Sequence, residues 1–185
     1  MKYLVIGSAG YIVDWYKVNG KKYLEAGYEL VAINNAWSID PDSLTYWVHS
    51  TDYLSVAKNK PDIKTRAKLK KVEFTSVPYK GKFKYAYKKQ GSGCMILNTL
   101  TNLINKAVNE KVLIEVCLAG CDAIYKKAGQ DHFYKGGTPD PVRFGEQYLK
   151  TGFKEIQGFY DAEGCQIYNV GGQEETLLPY ARKSL

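Results

Sequence analysis

The chain has 185 residues, 45% of them apolar, and a formal net charge of +7 from 26 lysines and arginines against 19 acids. That length and apolar share suffice for one substantial core and make two separate domains unexpected. No run of 18 apolar residues exists, and the N-terminus enters a strand-like segment without a signal-peptide pattern, so the sequence argues against a membrane span and for a cytoplasmic protein.

Strand-like runs occur at Tyr3–Ile6, Glu29–Ile33, Tyr46–His49, Val112–Leu118 and Gln166–Val170, with helical stretches between several of them. A helix is expected where Met95, Leu97, Leu100, Leu103, Ile104 and Val108 recur. Another is expected from Asp140, as cap, with Pro141 in its first turn, to about Lys150. The alternation predicts an α/β fold: a single Rossmann-like domain over residues 1–185 with a mostly parallel sheet. The segment from Lys58 to Lys89 is a basic insertion, holding 12 of the 26 basic residues and only Asp62 and Glu73 as acids. Its lysines interleave with Phe74, Tyr79, Phe83, Tyr85 and Tyr87, and Tyr79–Tyr87 alternates as a strand does. It reads either as a solvated basic face or as a lid or docking arm for a polyanion.

In such a sheet, ligands sit at the carboxyl ends of the strands, near the switch in strand order. Those ends here are Gly7-Ser8-Ala9-Gly10, Asn34-Asn35, His49-Ser50-Thr51-Asp52, Gly120-Cys121-Asp122 and Asn169-Val170-Gly171-Gly172, nearly all polar or glycine. Gly91-Ser92-Gly93 before a helix offers a close backbone approach, a hydroxyl and free amides to an anion. His132 lies in a polar, glycine-rich stretch, where a neutral imidazole can accept a proton from an attacking hydroxyl. His49 reads better as a half-buried hydrogen-bonding residue. Asp40-Pro-Asp42 has the spacing of a metal-holding pair, but the proline and Ser43 favour a turn. Cys94, Cys117, Cys121 and Cys165 lack C-x-x-C spacing and read as reduced core thiols.

Val5-Ile-Gly-Ser-Ala-Gly-Tyr-Ile12 looks like the opening of an NAD(P)-dependent short-chain dehydrogenase or sugar epimerase, and Tyr85-x-x-x-Lys89 supplies that catalytic spacing. Against it, Val13 replaces the third glycine, and Asn34-Asn35 stand where an acid would hold the ribose.

Taken together, the strand-end motifs resemble the sialyltransferase-like glycosyltransferases of bacteria and phages. The resemblance implies that Gly7, Ser8, Ala9 and Gly10 meet the nucleotide phosphate, and that Asn34 or Asn35 contacts the nucleotide. Ser92 and Gly93 match the family's hydroxyl-glycine turn, and Gly120-Cys-Asp122 with trailing Tyr125 matches its Gly-x-Asp strand end. A downstream histidine serves as base, which His132 matches. Gly91 stands where a hydroxyl residue is usual. The implied activity is inverting, metal-independent transfer of a sugar from a nucleotide-activated donor, with no cofactor, and with Tyr125 or Tyr134 hydrogen-bonding the departing phosphate. The acceptor is left open between a glycan, a small molecule and a modified nucleic acid, and the tyrosine-rich composition leaves room for a homo-oligomeric contact. The competing expectation is a non-catalytic nucleotide- or nucleic-acid-binding module.

Overall fold

A computed structural model describes residues 1–50, 53–56, 60–74, 84–85, 94–123, 145–172 and 175–185. Five parallel strands form one sheet: β1 (Lys2–Ile6), β2 (Glu29–Ile33), β3 (Leu44–Val48), β4 (Glu115–Ala119) and β5 (Gln166–Asn169). Their order across the sheet is β3-β2-β1-β4-β5. The chain therefore builds outward from β1 in one direction, then crosses back to place β4 on its other side. The switch falls between β1 and β4, and the fold is the Rossmann-like α/β layer that the strand and helix alternation predicts.

The apolar runs are continuous because both faces of the sheet are covered. From β1, Leu4 and Ile6 face helix α1 (Ile12–Glu25) together with Leu30, Ala32, Trp47, Cys117 and Ala119. Tyr3 and Val5 face the opposite way, with Val31, Val116 and Leu118, onto α4 (Met95–Glu110) and α5 (Glu146–Ala162). In α5, Leu149, Phe153, Ile156 and Tyr160 recur at helical spacing and are buried. That stripe carries the helix well past Lys150, where sequence reading ended it; the expected start at Asp140 lies outside the described residues.

Two strand boundaries differ by more than one residue. β4 starts at Glu115 rather than Val112, because Lys111 ends α4 in a left-handed conformation (φ 55°) and the chain needs three more residues to reach the sheet. β3 begins two residues earlier than expected, at Leu44. All four cysteines are free and buried.

The two described parts of the basic insertion are docked on the layer. A one-turn helix α2 (Tyr53–Val56) follows β3, and then α3 (Ile63–Leu69) runs into a 3-10 turn, Lys70–Val72. Further on, Asn105 of α4 clasps the backbone of Tyr85, accepting from its N–H (3.0 Å) and donating to its carbonyl (2.8 Å). The Tyr85 ring stacks on Phe159 at 4.5 Å, and its hydroxyl donates to Glu163. Most of the strand-like Tyr79–Tyr87 lies outside the described residues.

Candidate functional site

Polar groups gather at the carboxyl ends of β1, β2, β4 and β5, around the switch point. The loop after β1 is fastened to the end of β4: the Gly7 N–H donates to the Ala119 carbonyl (2.8 Å) and the Ala9 N–H to the Gly120 carbonyl (3.1 Å). A Cβ on Gly7 would stand 2.2 Å from the Gly120 carbonyl oxygen, so packing against β4 already requires glycine there. Gly7 is buried, Ser8 and Ala9 are half-buried, and Gly10 is exposed. The close approach of α1 to the sheet is provided from the strand side. Gly120, at φ 66°, faces Ile12, and a Cβ there would meet that side chain at 2.9 Å. Val13, in the position of a third fingerprint glycine, is not the residue that makes the room.

At the end of β2 the two asparagines diverge. Asn35 is buried and its Oδ1 accepts from the Tyr53 hydroxyl, which in turn accepts from Trp37 Nε1 (3.1 Å). Asn34 adopts a left-handed backbone (φ 48°), and its carbonyl accepts from Trp47 Nε1 (2.9 Å). Its buried Oδ1 has no hydrogen-bond partner among the described residues. Ile6 pairs with Ala32 at the end of the β1–β2 ladder, so the loops that carry Ser8 and Asn34 leave neighbouring strands.

The third group is Asp122, 4% exposed. The Tyr11 hydroxyl donates to Asp122 Oδ2 (2.6 Å) and accepts from the Gly120 N–H (3.1 Å). Burial pushes the Asp122 carboxyl above the usual range, and the Tyr11 hydrogen bond works against that rise. Burial likewise raises the Tyr11 phenol, reinforced by its bond to Asp122. Asn169 and Arg182 lie close enough to favour the charged carboxylate, yet Asp122 Oδ1 makes no hydrogen bond of ordinary geometry among the described residues. Behind the carboxyl, the Asp122 carbonyl accepts from the Leu177 N–H (3.0 Å). The Gly171 N–H donates to Asn169 Oδ1 (3.0 Å), and Arg182 donates to the Gly171 carbonyl. Tyr11 was not among the sequence candidates. Its only local signal is a bulky aromatic residue just before α1, where a small capping residue is usual; it makes no side-chain bond to the helix.

His132, Tyr125, Tyr134, Ser92 and Gly93 lie outside the described residues. What is described is the start of α4 beyond that turn. The helix runs antiparallel to the strands, bringing Cys94 and Met95 to the same end of the sheet, with Cys94 near Cys121. Burial raises the Cys121 thiol well above its ordinary value, so it behaves as a core group.

Other sequence candidates are settled by their contacts. His49 is buried, with Nδ1 2.8 Å from the Ser50 carbonyl and Nε2 2.8 Å from Glu73 Oε1. It ties β3 to the end of the α3 segment. Asp40 accepts from the Ser43 N–H (3.2 Å) and the Tyr16 hydroxyl (2.9 Å), while Asp42 pairs with Lys68 (3.0 Å), which is a turn and a surface ion pair. Tyr85 and its partner Glu163, which ends α5, lie at the amino end of the sheet. The Tyr-x-x-x-Lys spacing thus begins opposite the end where a nicotinamide would lie.

No family model matches the chain, and no curated protein and no solved structure matches it. What the site can do follows from its own chemistry. Two buried acceptors, Asn34 Oδ1 and Asp122 Oδ1, stand at the strand ends on either side of a glycine-containing loop at the switch point. Acceptors of that kind suit the hydroxyls and amines of a ligand, and the loop backbone suits a phosphate.

Proposed function

We propose that the chain is an inverting, metal-independent glycosyltransferase that moves a sugar from a nucleotide-activated donor to an acceptor hydroxyl. What supports this reading is the convergence, at one strand-order switch, of the Gly7–Gly10 loop with buried oxygens of Asn34 and Asp122 that make no hydrogen bond of ordinary geometry among the described residues. A nucleotide sugar offers the matching groups: a phosphate for the loop at Ser8, Ala9 and Gly10, and hydroxyls or ring N–H donors for the two acceptors. Asn35, engaged by Tyr53, holds Asn34 in place instead of touching the donor.

In this reading Ser92 and Gly93 contribute to phosphate binding, and His132 is the base. The acceptor oxygen attacks the sugar carbon from the side opposite the phosphate, as its proton passes to His132. The carbon–oxygen bond to the nucleotide breaks with both electrons leaving on the phosphate oxygen. Tyr125 or Tyr134 donates a hydrogen bond to that oxygen, where charge grows in the transition state.

The test is thermal stabilisation by CMP, CDP, UDP, GDP and NAD, with and without a divalent metal, followed by turnover of the matching nucleotide sugar. A metal-independent shift with one nucleotide, and turnover lost about 10²–10⁴-fold in His132→Ala, is the expected result. A shift with NAD alone would sink the transferase, and full turnover by His132→Ala would remove the base.

A further inference from the structure

The basic insertion carries a rigid ridge that the proposed chemistry does not use. Between Lys60 and Val72 the chain has six cations and one acid. Pro61 and Leu69 are buried and Thr65 and Val72 half-buried, a helical stripe turned inward, and Leu69 joins the core with Trp47 and Leu44. That stripe forces the rest of the surface outward. Lys64, Arg66, Lys70 and Lys71 are all exposed, and none of the four forms an ion pair within 4 Å among the described residues, whereas Lys68 is paired to Asp42.

The mounting is firm at several points. Asp62 caps α3 through the Thr65 N–H (2.7 Å). After the 3-10 turn, Glu73 bridges to Trp47 of edge strand β3 and meets His49, and the Phe74 N–H donates to the Trp47 carbonyl (2.8 Å). The backbone that carries the cations is therefore fixed before any partner arrives, which lowers the ordering cost of binding.

We infer that Lys64, Arg66, Lys70 and Lys71 form a docking surface for the phosphate backbone of a nucleic acid. From Lys64 to Lys71 the helical rise covers about 10 Å, against one phosphate per 3.4 Å of axis on each strand, so the ridge spans roughly three phosphates. A lipid surface fits less well. A helix that binds in the plane of a bilayer inserts an apolar face, and the seven-residue α3 exposes only one large apolar side chain, Ile63, while Leu69 is taken up in the core with Leu44 and Trp47. The inference goes beyond the transferase reading and holds whether or not the strand-end site binds a nucleotide.

The experiment is fluorescence anisotropy of the full chain with labelled duplex and single-stranded 20-mers between 50 and 200 mM KCl. It compares Lys64→Gln/Arg66→Gln, Lys70→Gln/Lys71→Gln and, as control on the exposed face of α1, Lys21→Gln/Lys22→Gln. All six positions are exposed, and an unchanged unfolding midpoint confirms that each variant is folded. Each ridge variant should bind duplex about tenfold more weakly at 100 mM salt. The slope of log K against log salt should fall by about 1.8 for duplex and about 1.4 for single strands, with the control unchanged. Salt-dependent binding that the ridge variants leave intact would overturn the inference. So would equal loss in the control, absence of binding at 50 mM, or tighter binding to phosphatidylserine vesicles or polyglutamate than to either nucleic acid. Because nucleotide-induced stabilisation reads the strand-end site separately, failure of one reading leaves the other standing.

Discussion

The Tyr11 hydroxyl lies 2.6 Å from Asp122 Oδ2 across the switch between β1 and β4, and a Cβ on Gly171 would reach within 2.2 Å of that same hydroxyl. Three segments far apart in sequence thus share one oxygen atom. Tyr11→Phe removes the hydrogen bond donated to a buried carboxyl and should destabilise the fold by about 1–3 kcal/mol in urea unfolding. Asp122→Asn on the Tyr11→Phe background should cost less than on the native chain, because the buried group is then uncharged. Strict additivity of the two would show that the pair is not coupled.

Gly171→Ala tests the same oxygen from the other side. In the native chain the new methyl meets the Tyr11 hydroxyl and should destabilise by about 1–3 kcal/mol. With Tyr11→Phe the obstructing atom is gone, and the next contacts, Asn169 Oδ1 at 3.3 Å and Tyr11 Cζ at 3.4 Å, are tolerable. The cost of Gly171→Ala should then fall by more than half. An unchanged cost in the double variant would mean that the backbone, not the hydroxyl, sets the limit.

Gly7 shows how far the sequence could be read. As part of Gly-x-x-Gly after a strand it looks like a phosphate-binding glycine, and no local pattern tells that role from the one its contact with the Gly120 carbonyl imposes. Gly7→Ala should therefore unfold or severely destabilise the protein, by about 3 kcal/mol or more, because neither backbone can move aside cheaply. Gly10→Ala, at an exposed position, should leave the unfolding midpoint nearly unchanged. Equal tolerance of the two would contradict this assignment.

The sheet itself was legible because strands buried on both faces read as apolar runs, as Tyr3–Ile6 and Glu29–Ile33 do. Helix ends were less so. Lys111 takes a left-handed turn without the glycine that would announce it, and the inward stripe of α5 continues past Lys150 through residues that are polar between the stripe positions. Within the site, Asp122 and Asn34 were marked by their place at strand ends. Tyr11 was not, since its partner Asp122 is 111 residues away and only the fold brings them together.

Acid sensitivity should centre on the C-terminal segment. Lys183 Nζ donates to Glu115 Oε2 (2.7 Å) and lies 4.8 Å over the Tyr168 ring, while the Tyr28 hydroxyl donates to Glu115 Oε1. Burial alone would raise the Glu115 carboxyl, but Lys183 and Tyr28 outweigh it and hold the group below its ordinary value. A carboxyl lowered on folding contributes stability that is present above its unfolded value, about 4.3, and is lost as pH falls through the folded one. Lys183 is raised by Glu115, so its share is present below the ordinary lysine range and disappears only in strong alkali. Glu115→Gln should therefore lower stability at pH 7 and flatten the fall in stability below pH 5, as followed by urea unfolding at stepped pH. Lys183→Met should reproduce both effects. An acid limb as steep in Glu115→Gln as in the native chain would assign the acid loss to other carboxyls.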